Sequence, residues 1–455
     1  MYPALILEAL SPAHLYLFTS AEAETEIKKL PDTVARFARA QGFTGQMGQT
    51  VLIPNEAGHL SIVVAGLGDQ RNPLTVASIS AKLAGGDYVV IRKPDDWPFP
   101  WIAAGWVDGA YRFDRYLSAK GKPPKLVTPA DQNIDDIVQE AGAVHMLRDL
   151  VNTPPDDMGP DAIEAVIRDM AAEYDADVSS IVGDDLLKEN YPMVHAVGRA
   201  ATIPPRFVEL SWGDEGHPEL AIVGKGVSFD SGGLNIKTGN YMRIMKKDMG
   251  GAAHAIALAR LVMGAGLPVR LKLYIPTVEN AISGNSFRPG DIIASRKGIS
   301  VEIDNTDAEG RLILGDALAR ASESDPDLLI DFATLTGAAR VALGPDLAPF
   351  YTDDETVAAG IQAGASSSGD PAWRMPLWSP YLGYLKSPVA DIVNSGSSMG
   401  GSITAALFLR TFVGAKSWVH LDVWAWREAK FGRPAGAAAC GLRAMWSMLQ
   451  KRYVS

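Results

Sequence analysis

From about residue 160 onward, apolar positions fall into two rhythms that take turns along the chain. Short apolar-rich runs at 207–210, 220–223, 269–275, 328–332 and 419–423 read as strands. This pattern predicts strands covered on both faces. Between them, 163–172 and 252–263 repeat their apolar residues every three to four positions, the period of a helix packed on one side. Such alternation predicts an α/β domain with a mixed, largely parallel central sheet covered by helices.

The front of the chain predicts a smaller α/β domain of its own. Leu60, Ile62, Val63 and Val64 read as a strand, 75–83 as a helix stopped by Gly85 and Gly86, 88–91 as the next strand and 102–111 as a further helix. Trp97, Trp101, Trp106 and Tyr111 are expected to pack in a core or a subunit contact. The run Lys120-Gly121-Lys122-Pro123-Pro124-Lys125 has linker composition. A helix over 131–151 follows, with Ile134, Ile137, Val138, Ala141, Val144, Leu147 and Leu150 on one face. It reads as a rod joining a domain at 1–130 to a catalytic domain at 152–455. No internal repeat stands out.

Candidate chemistry gathers where strands hand over to helices. Ile299, Val301 and Ile303 alternate as a short strand, and Leu312, Ile313, Ala317 and Leu318 begin a helix. The turn between them carries Asp304, Asp307, Glu309 and Arg311. Turns of this kind form the ligand sites of open α/β sheets, although an acidic turn taken alone reads as a solvated turn. Asp304 is read as such a turn residue.

Two upstream segments change that picture. The glycine-rich stretch 224–237 lacks both the Gly-Lys-Ser/Thr ending of a phosphate loop and the three-glycine dinucleotide spacing. It does present Lys225, Asp230 and Lys237. Asp248 precedes the next helix and by itself reads as its N-cap. Gly250 and Gly251 are poor helix residues unless something packs closely on them. Asp230, Asp248, Asp307 and Glu309 brought together would repel one another and raise their own pKa values. A divalent cation such as Mg²⁺, Mn²⁺ or Zn²⁺ removes that penalty.

Composition narrows the class. With 42 Lys plus Arg against 53 Asp plus Glu, the formal charge is −11, which disfavours general binding to nucleic acid or anionic membrane. Residues 1–18 lack the basic start and long apolar run of a secretory signal, and no segment approaches the apolar length of a membrane span. The single cysteine, Cys440, excludes an internal disulfide and a cysteine-based zinc site, so a cytoplasmic location is expected.

The sequence resembles the leucyl aminopeptidase (cytosol aminopeptidase) family of dinuclear metallopeptidases. Asn305-Thr306-Asp307-Ala308-Glu309-Gly310-Arg311-Leu312 matches the family signature. Val223-Gly224-Lys225-Gly226, Phe229-Asp230-Ser231-Gly232-Gly233 and Asp248-Met249-Gly250-Gly251-Ala252 match its other metal-binding segments, in order. The likeness runs over roughly 152–434. It implies two divalent ions (Zn²⁺ and/or Mn²⁺, with Mg²⁺ as a further candidate) sharing Asp230 and Glu309, one adding Asp307 and the other Asp248 and the amine of Lys225. Lys237 and Arg311 match the family's two catalytic residues that are not ligands. The first would polarise the scissile carbonyl, and the second would hold a bicarbonate that relays a proton.

The implied reaction is metal-assisted amide hydrolysis of peptides with a free N-terminus, by a water of lowered pKa. Met245, Asn305, Thr334, Leu335 and Gly337 match positions near the substrate, in a pocket expected to favour large aliphatic residues such as leucine. The resemblance also implies a homohexamer. Trp424-Ala425-Trp426-Arg427 is bulkier than the family's small-residue run, and Lys246-Lys247 adds positive charge beside Asp248. His254 has no His-Glu-x-x-His partner and reads as structural. A DNA-binding architectural or regulatory protein is the competing reading; the net charge opposes it.

Overall fold

A computed structural model describes residues 4–118, 121–132, 134–429 and 435–454. The chain divides into two compact units, Met1–His145 with Glu428–Gly436, and Met146–Arg427 with Ala437–Ser455.

The first unit is built on a six-stranded sheet in the order Leu5–Ile6, Lys125–Val127, Asp87–Arg92, Ala13–Thr19, Leu60–Gly68, Thr50–Pro54. All neighbours are parallel except the last pair. Trp97 and Trp106 are buried in its core beside Tyr88, and the Trp106 indole donates to the Pro124 carbonyl at 3.1 Å. These aromatics are core residues, as the sequence predicts. The predicted 131–151 helix occupies Asp135–Asn152. Residues 131 and 132 precede it, and Asn133 lies outside the described residues.

The second unit holds a nine-stranded mixed sheet. Its middle is parallel: Trp418–Asp422, Leu328–Ala333, Glu219–Gly224 and Arg270–Asn280 lie side by side. Antiparallel neighbours flank that centre, Arg206–Trp212 on one side and Ala348–Tyr351 on the other. Strands 220–223 and 328–333 are wholly buried, which explains their apolar sequence; the one exception, Asp331, is bound to the Trp418 indole and to His420. The helices Gly250–Gly264 and Gly310–Ser322 are nearly all buried too.

Glycine sets how close the Gly250–Gly264 helix comes to the sheet. A Cβ on Gly251 would sit 2.3 Å from the Phe332 carbonyl oxygen, and one on Gly250 would sit 2.3 Å from the Ala425 Cβ. Both glycines therefore do what the sequence required of them: they let the helix start against the end of the 328–333 strand. Asp248 differs from its predicted role. It lies in the 3₁₀ turn Met245–Met249, and the helix cap position belongs to Met249 without any side-chain cap. Its carboxylate is engaged by Lys225 and Thr334 instead.

Candidate active site

Three segments meet at the ends of the parallel strands. The turn after Glu219–Gly224 brings Lys225, the strand Gly226–Asp230 ends at Asp230, and the turn before Gly310–Ser322 brings Asp307 and Glu309. Carboxylate oxygens of Asp230, Asp307 and Glu309 lie within 4.8 Å of one another. Asp248 closes the cluster from the 3₁₀ turn.

Two lysines, Lys225 buried and Lys237 partly buried, organise these acids into two sets. Lys225 Nζ lies 2.6 Å from Asp248 Oδ2 and 2.9 Å from Glu309 Oε1, and also donates to the Thr334 carbonyl at 2.9 Å. Lys237 Nζ lies 2.8 Å from Asp230 Oδ2 and also pairs with Asp307. Burial opposes the charge on each lysine, yet the surrounding carboxylates hold both ammonium groups above their ordinary pKa. The acids respond unequally. Burial, reinforced by neighbouring Asp230, raises Asp307 to about 6 and Glu309 well above the usual carboxylate range. Asp248 is also buried, but Lys225, Lys247 and Lys237 hold it below that range. Neither Asp307 Oδ1 nor Glu309 Oε1 receives a well-directed hydrogen bond, so these two oxygens still lack a full partner.

Supporting groups fix the ligating geometry. Asp230 Oδ1 accepts from the Gly232 amide and from Asn280 Nδ2, both at 2.8 Å. Thr334 Oγ1 donates at 2.9 Å to Asp248 Oδ1. A Cβ on Gly310 would stand 2.3 Å from Lys225 Cε, so this signature glycine is the space through which the lysine reaches the acids.

Arg311 is buried beneath the signature turn. One of its terminal nitrogens donates to the Asn394 carbonyl at 2.8 Å, while its Nε, also buried, has no hydrogen-bond partner among the described residues. Burial lowers its pKa to about 10, which leaves it charged at neutral pH.

A cavity of about 430 Å³ opens over the cluster. Lys225, Asp230, Lys237, Asp248 and Asp307 line it on one side, with Met245, Thr334, Leu335 and Gly337 among the other walls. Asn305 is not part of that lining; its Oδ1 accepts the Asp307 amide at 2.8 Å and so shapes the turn. Asp304 accepts a hydrogen bond from Ser395 and stays a turn residue. His254 sits inside its helix, with Nδ1 2.6 Å from the Gly250 carbonyl and Nε2 accepting from the Cys440 amide at 3.0 Å. Burial lowers its pKa to about 4, so it stays neutral and structural.

Three residues that carry the site leave no trace in sequence patterns. Asn394 Oδ1 accepts from the Asp304 and Asn305 amides at 2.9 and 3.2 Å, and its Nδ2 donates back to the Asn305 carbonyl at 2.7 Å. Asp422 accepts from the Leu335 and Thr336 amides at 3.0 and 3.1 Å and from the Thr336 hydroxyl at 2.6 Å, fixing the 334–337 loop. Asn280 ties Asp230 to the Thr306 carbonyl.

A buried lysine–carboxylate cluster at the strand ends of an α/β sheet, opening into a cavity, defines a hydrolase-type site, and the comparisons with known proteins specify which. Residues 145–446 match the model of the cytosol aminopeptidase family, catalytic domain, and residues 15–129 that of the M17 aminopeptidase, N-terminal domain. A probable cytosol aminopeptidase of Synechococcus sp. is 35% identical over 95% of this chain and 95% of its own. The solved cytosol aminopeptidase of Coxiella burnetii is 40% identical, with a TM-score of 0.93 over 99% of both chains. The bottromycin maturation enzyme BotP, solved in complex with Mn, is 31% identical with a TM-score of 0.87, covering 98% of this chain and 100% of that one. The chain belongs to the cytosol aminopeptidase family, and its class of activity is that of an aminopeptidase. Neither the family nor these relatives lend anything to the DNA-binding reading.

Proposed function

We propose that the protein is a cytoplasmic metalloaminopeptidase that removes the first residue, large aliphatic residues such as leucine included, from peptides with a free N-terminus. The observation that carries this reading is the pair of lysine–carboxylate sets, Lys225 with Asp248 and Glu309, Lys237 with Asp230 and Asp307, all but the buried Glu309 lining one cavity.

The donor set fits a pair of divalent cations. It is rich in carboxylate oxygen, it contains two buried oxygens without a well-directed donor, and it offers one amine at Lys225. Asp230 and Glu309 would be shared, with Asp307 on one ion and Asp248 and Lys225 on the other. Zn²⁺ and Mn²⁺ suit these ligands, and the Mn complex of BotP supports the second. Mg²⁺ is the third candidate. To serve as a ligand, Lys225 must lose its proton, which nearby divalent charge favours. Bound ions would supply an activated water and a seat for the unprotonated terminal amine, which restricts cleavage to free N-termini.

The chain's own groups account for the rest. Lys237 keeps its charge and lines the cavity, so its ammonium can donate to the scissile carbonyl oxygen and to the negative charge that develops there. Arg311 keeps a buried Nε–H for a small anion such as bicarbonate, which would act as proton acceptor. Met245, Thr334, Leu335 and Gly337 receive the first side chain, and Asn305 supports the turn beneath. A homohexamer is proposed as the assembly, checked by light scattering.

The direct test joins metal analysis to hydrolysis of leucine p-nitroanilide and its N-acetylated form. About two ions per chain and cleavage of the free substrate alone are expected. Equal cleavage of both substrates would refute the reading.

A further inference from the structure

Lys225 and Lys237, two of the four cations lining the cavity, are matched by the acids just described. Lys247 and Arg340 are not. Lys247 is only 2% exposed, and its ammonium has no hydrogen bond among the described residues. The nearest carboxylate oxygen, Asp248 Oδ1, is 3.9 Å away and already receives the Thr334 hydroxyl. Lys247 Nζ instead lies 4.0 Å from the centre of the Trp424 ring. Arg340 lies 4.3 Å from the same indole and 5.8 Å from the Tyr241 ring, and no carboxylate pairs with it among the described residues. All four of these side chains line the cavity. Trp424 is one of the bulky residues that sets this chain apart from the small-residue run expected there.

A buried ammonium held by a ring face and one long contact to a carboxylate that is already engaged keeps part of its desolvation cost. Its position on the wall of a ligand cavity allows a ligand oxyanion to remove that cost, and a neutral isostere cannot do so. Resting on the aminopeptidase reading, we propose that Lys247, aided by Arg340 and seated on Trp424, is a specificity-determining residue that admits an acidic first residue, glutamate or aspartate. Met245 and Leu335 leave the same cavity open to aliphatic side chains. Lys247 therefore adds a second substrate class to the site.

The test compares glutamate, glutamine and leucine p-nitroanilides on the metal-loaded full-length protein. These substrates have no C-terminal carboxylate, so any acidic preference comes from the first side chain. Glutamate should exceed glutamine in kcat/KM by about tenfold or more. In Lys247→Met that ratio should fall to about one, and Lys247→Arg should keep part of it. Calorimetric titration with free L-glutamate and L-glutamine gives the same comparison without turnover, with tighter glutamate binding lost in Lys247→Met. Leucine turnover with equal rates for glutamate and glutamine would overturn the proposal and leave the aminopeptidase reading standing. Failure on all three substrates would sink that reading instead, and the titration would still decide whether Lys247 selects a carboxylate. A preference for peptides over their C-terminal amides, without a glutamate preference, would assign the two cations to the other end of the substrate and also overturn it.

Discussion

Lys225 and Lys237 are chemically alike and both flanked by carboxylates, yet their surroundings divide their work. Both line the cavity, but Lys225 is enclosed by Gly310, Asp248 and the Thr334 carbonyl, whereas Lys237 is the more exposed of the two. Lys237→Ala should therefore lower kcat by about 10²–10³, with metal content and thermal stability close to those of the parent. A parallel loss of bound metal would move Lys237 into the ligand set.

Asp316 supplies the residue-scale pH dependence. It accepts the Met193 and Arg296 amides at 2.8 Å and the Val194 amide at 3.3 Å, and burial outweighs these bonds to raise its pKa to about 7. A carboxyl raised in the folded state favours folding at acid pH, and its contribution is lost as pH rises toward about 7. Asp316→Asn should cost a fixed amount of stability and remove that slope. Melting curves of both proteins from about pH 5 to about pH 8 should then draw closer as the pH rises; a constant gap would contradict the assignment.

Residues of this kind also show where sequence reading stopped. The residues proposed as ligands could be singled out because each sits in a short, distinctive segment, and the structure brings their side chains together. Asn394 and Asp422 were not, because each is a lone polar residue whose partners lie some 90 positions away in the chain.

At the scale of elements, the apolar-rich runs identified the buried central strands correctly, because strands covered on both faces carry few polar positions; Asp331, His420 and Asp422 are buried exceptions, and each is hydrogen-bonded. The edges were missed for the converse reason. Asp177–Val182 alternates exposed and half-buried positions, and Ala372–Arg374 has only three residues, so neither carries a strong hydrophobic signal. Asp248 was misassigned as a cap because local propensity cannot register a lysine arriving from another strand. The glycines at these junctions make sharp predictions. Gly310→Ala would drive a methyl into Lys225, so metal analysis should give about one ion per chain in place of about two. Gly251→Ala, pressed on the Phe332 carbonyl, should destabilise the fold by about 1–3 kcal/mol in denaturant titrations.

For the molecule as a whole, the proposed cation binding at the clustered acids predicts a contribution to stability as well as to catalysis. Chelation should abolish hydrolysis and lower the melting temperature, and Mn²⁺ should restore both. An unchanged melting temperature would mean that the lysines alone neutralise the cluster. No helix among the described residues is long and apolar enough to cross a membrane.

The cavity has one wall that is free to vary and one that is not. Thr334 both lines the space and holds Asp248, and Gly250 packs against it, so a change on that side disturbs the catalytic cluster. Elsewhere in the lining, Tyr241 is 54% exposed and Val341 81%, and no acid pairs with Arg340 among the described residues. Evolutionary drift in diet should therefore be written at positions 241, 340 and 341, while Thr334 stays frozen; a laboratory library aimed at those three sites is the economical route to new selectivities.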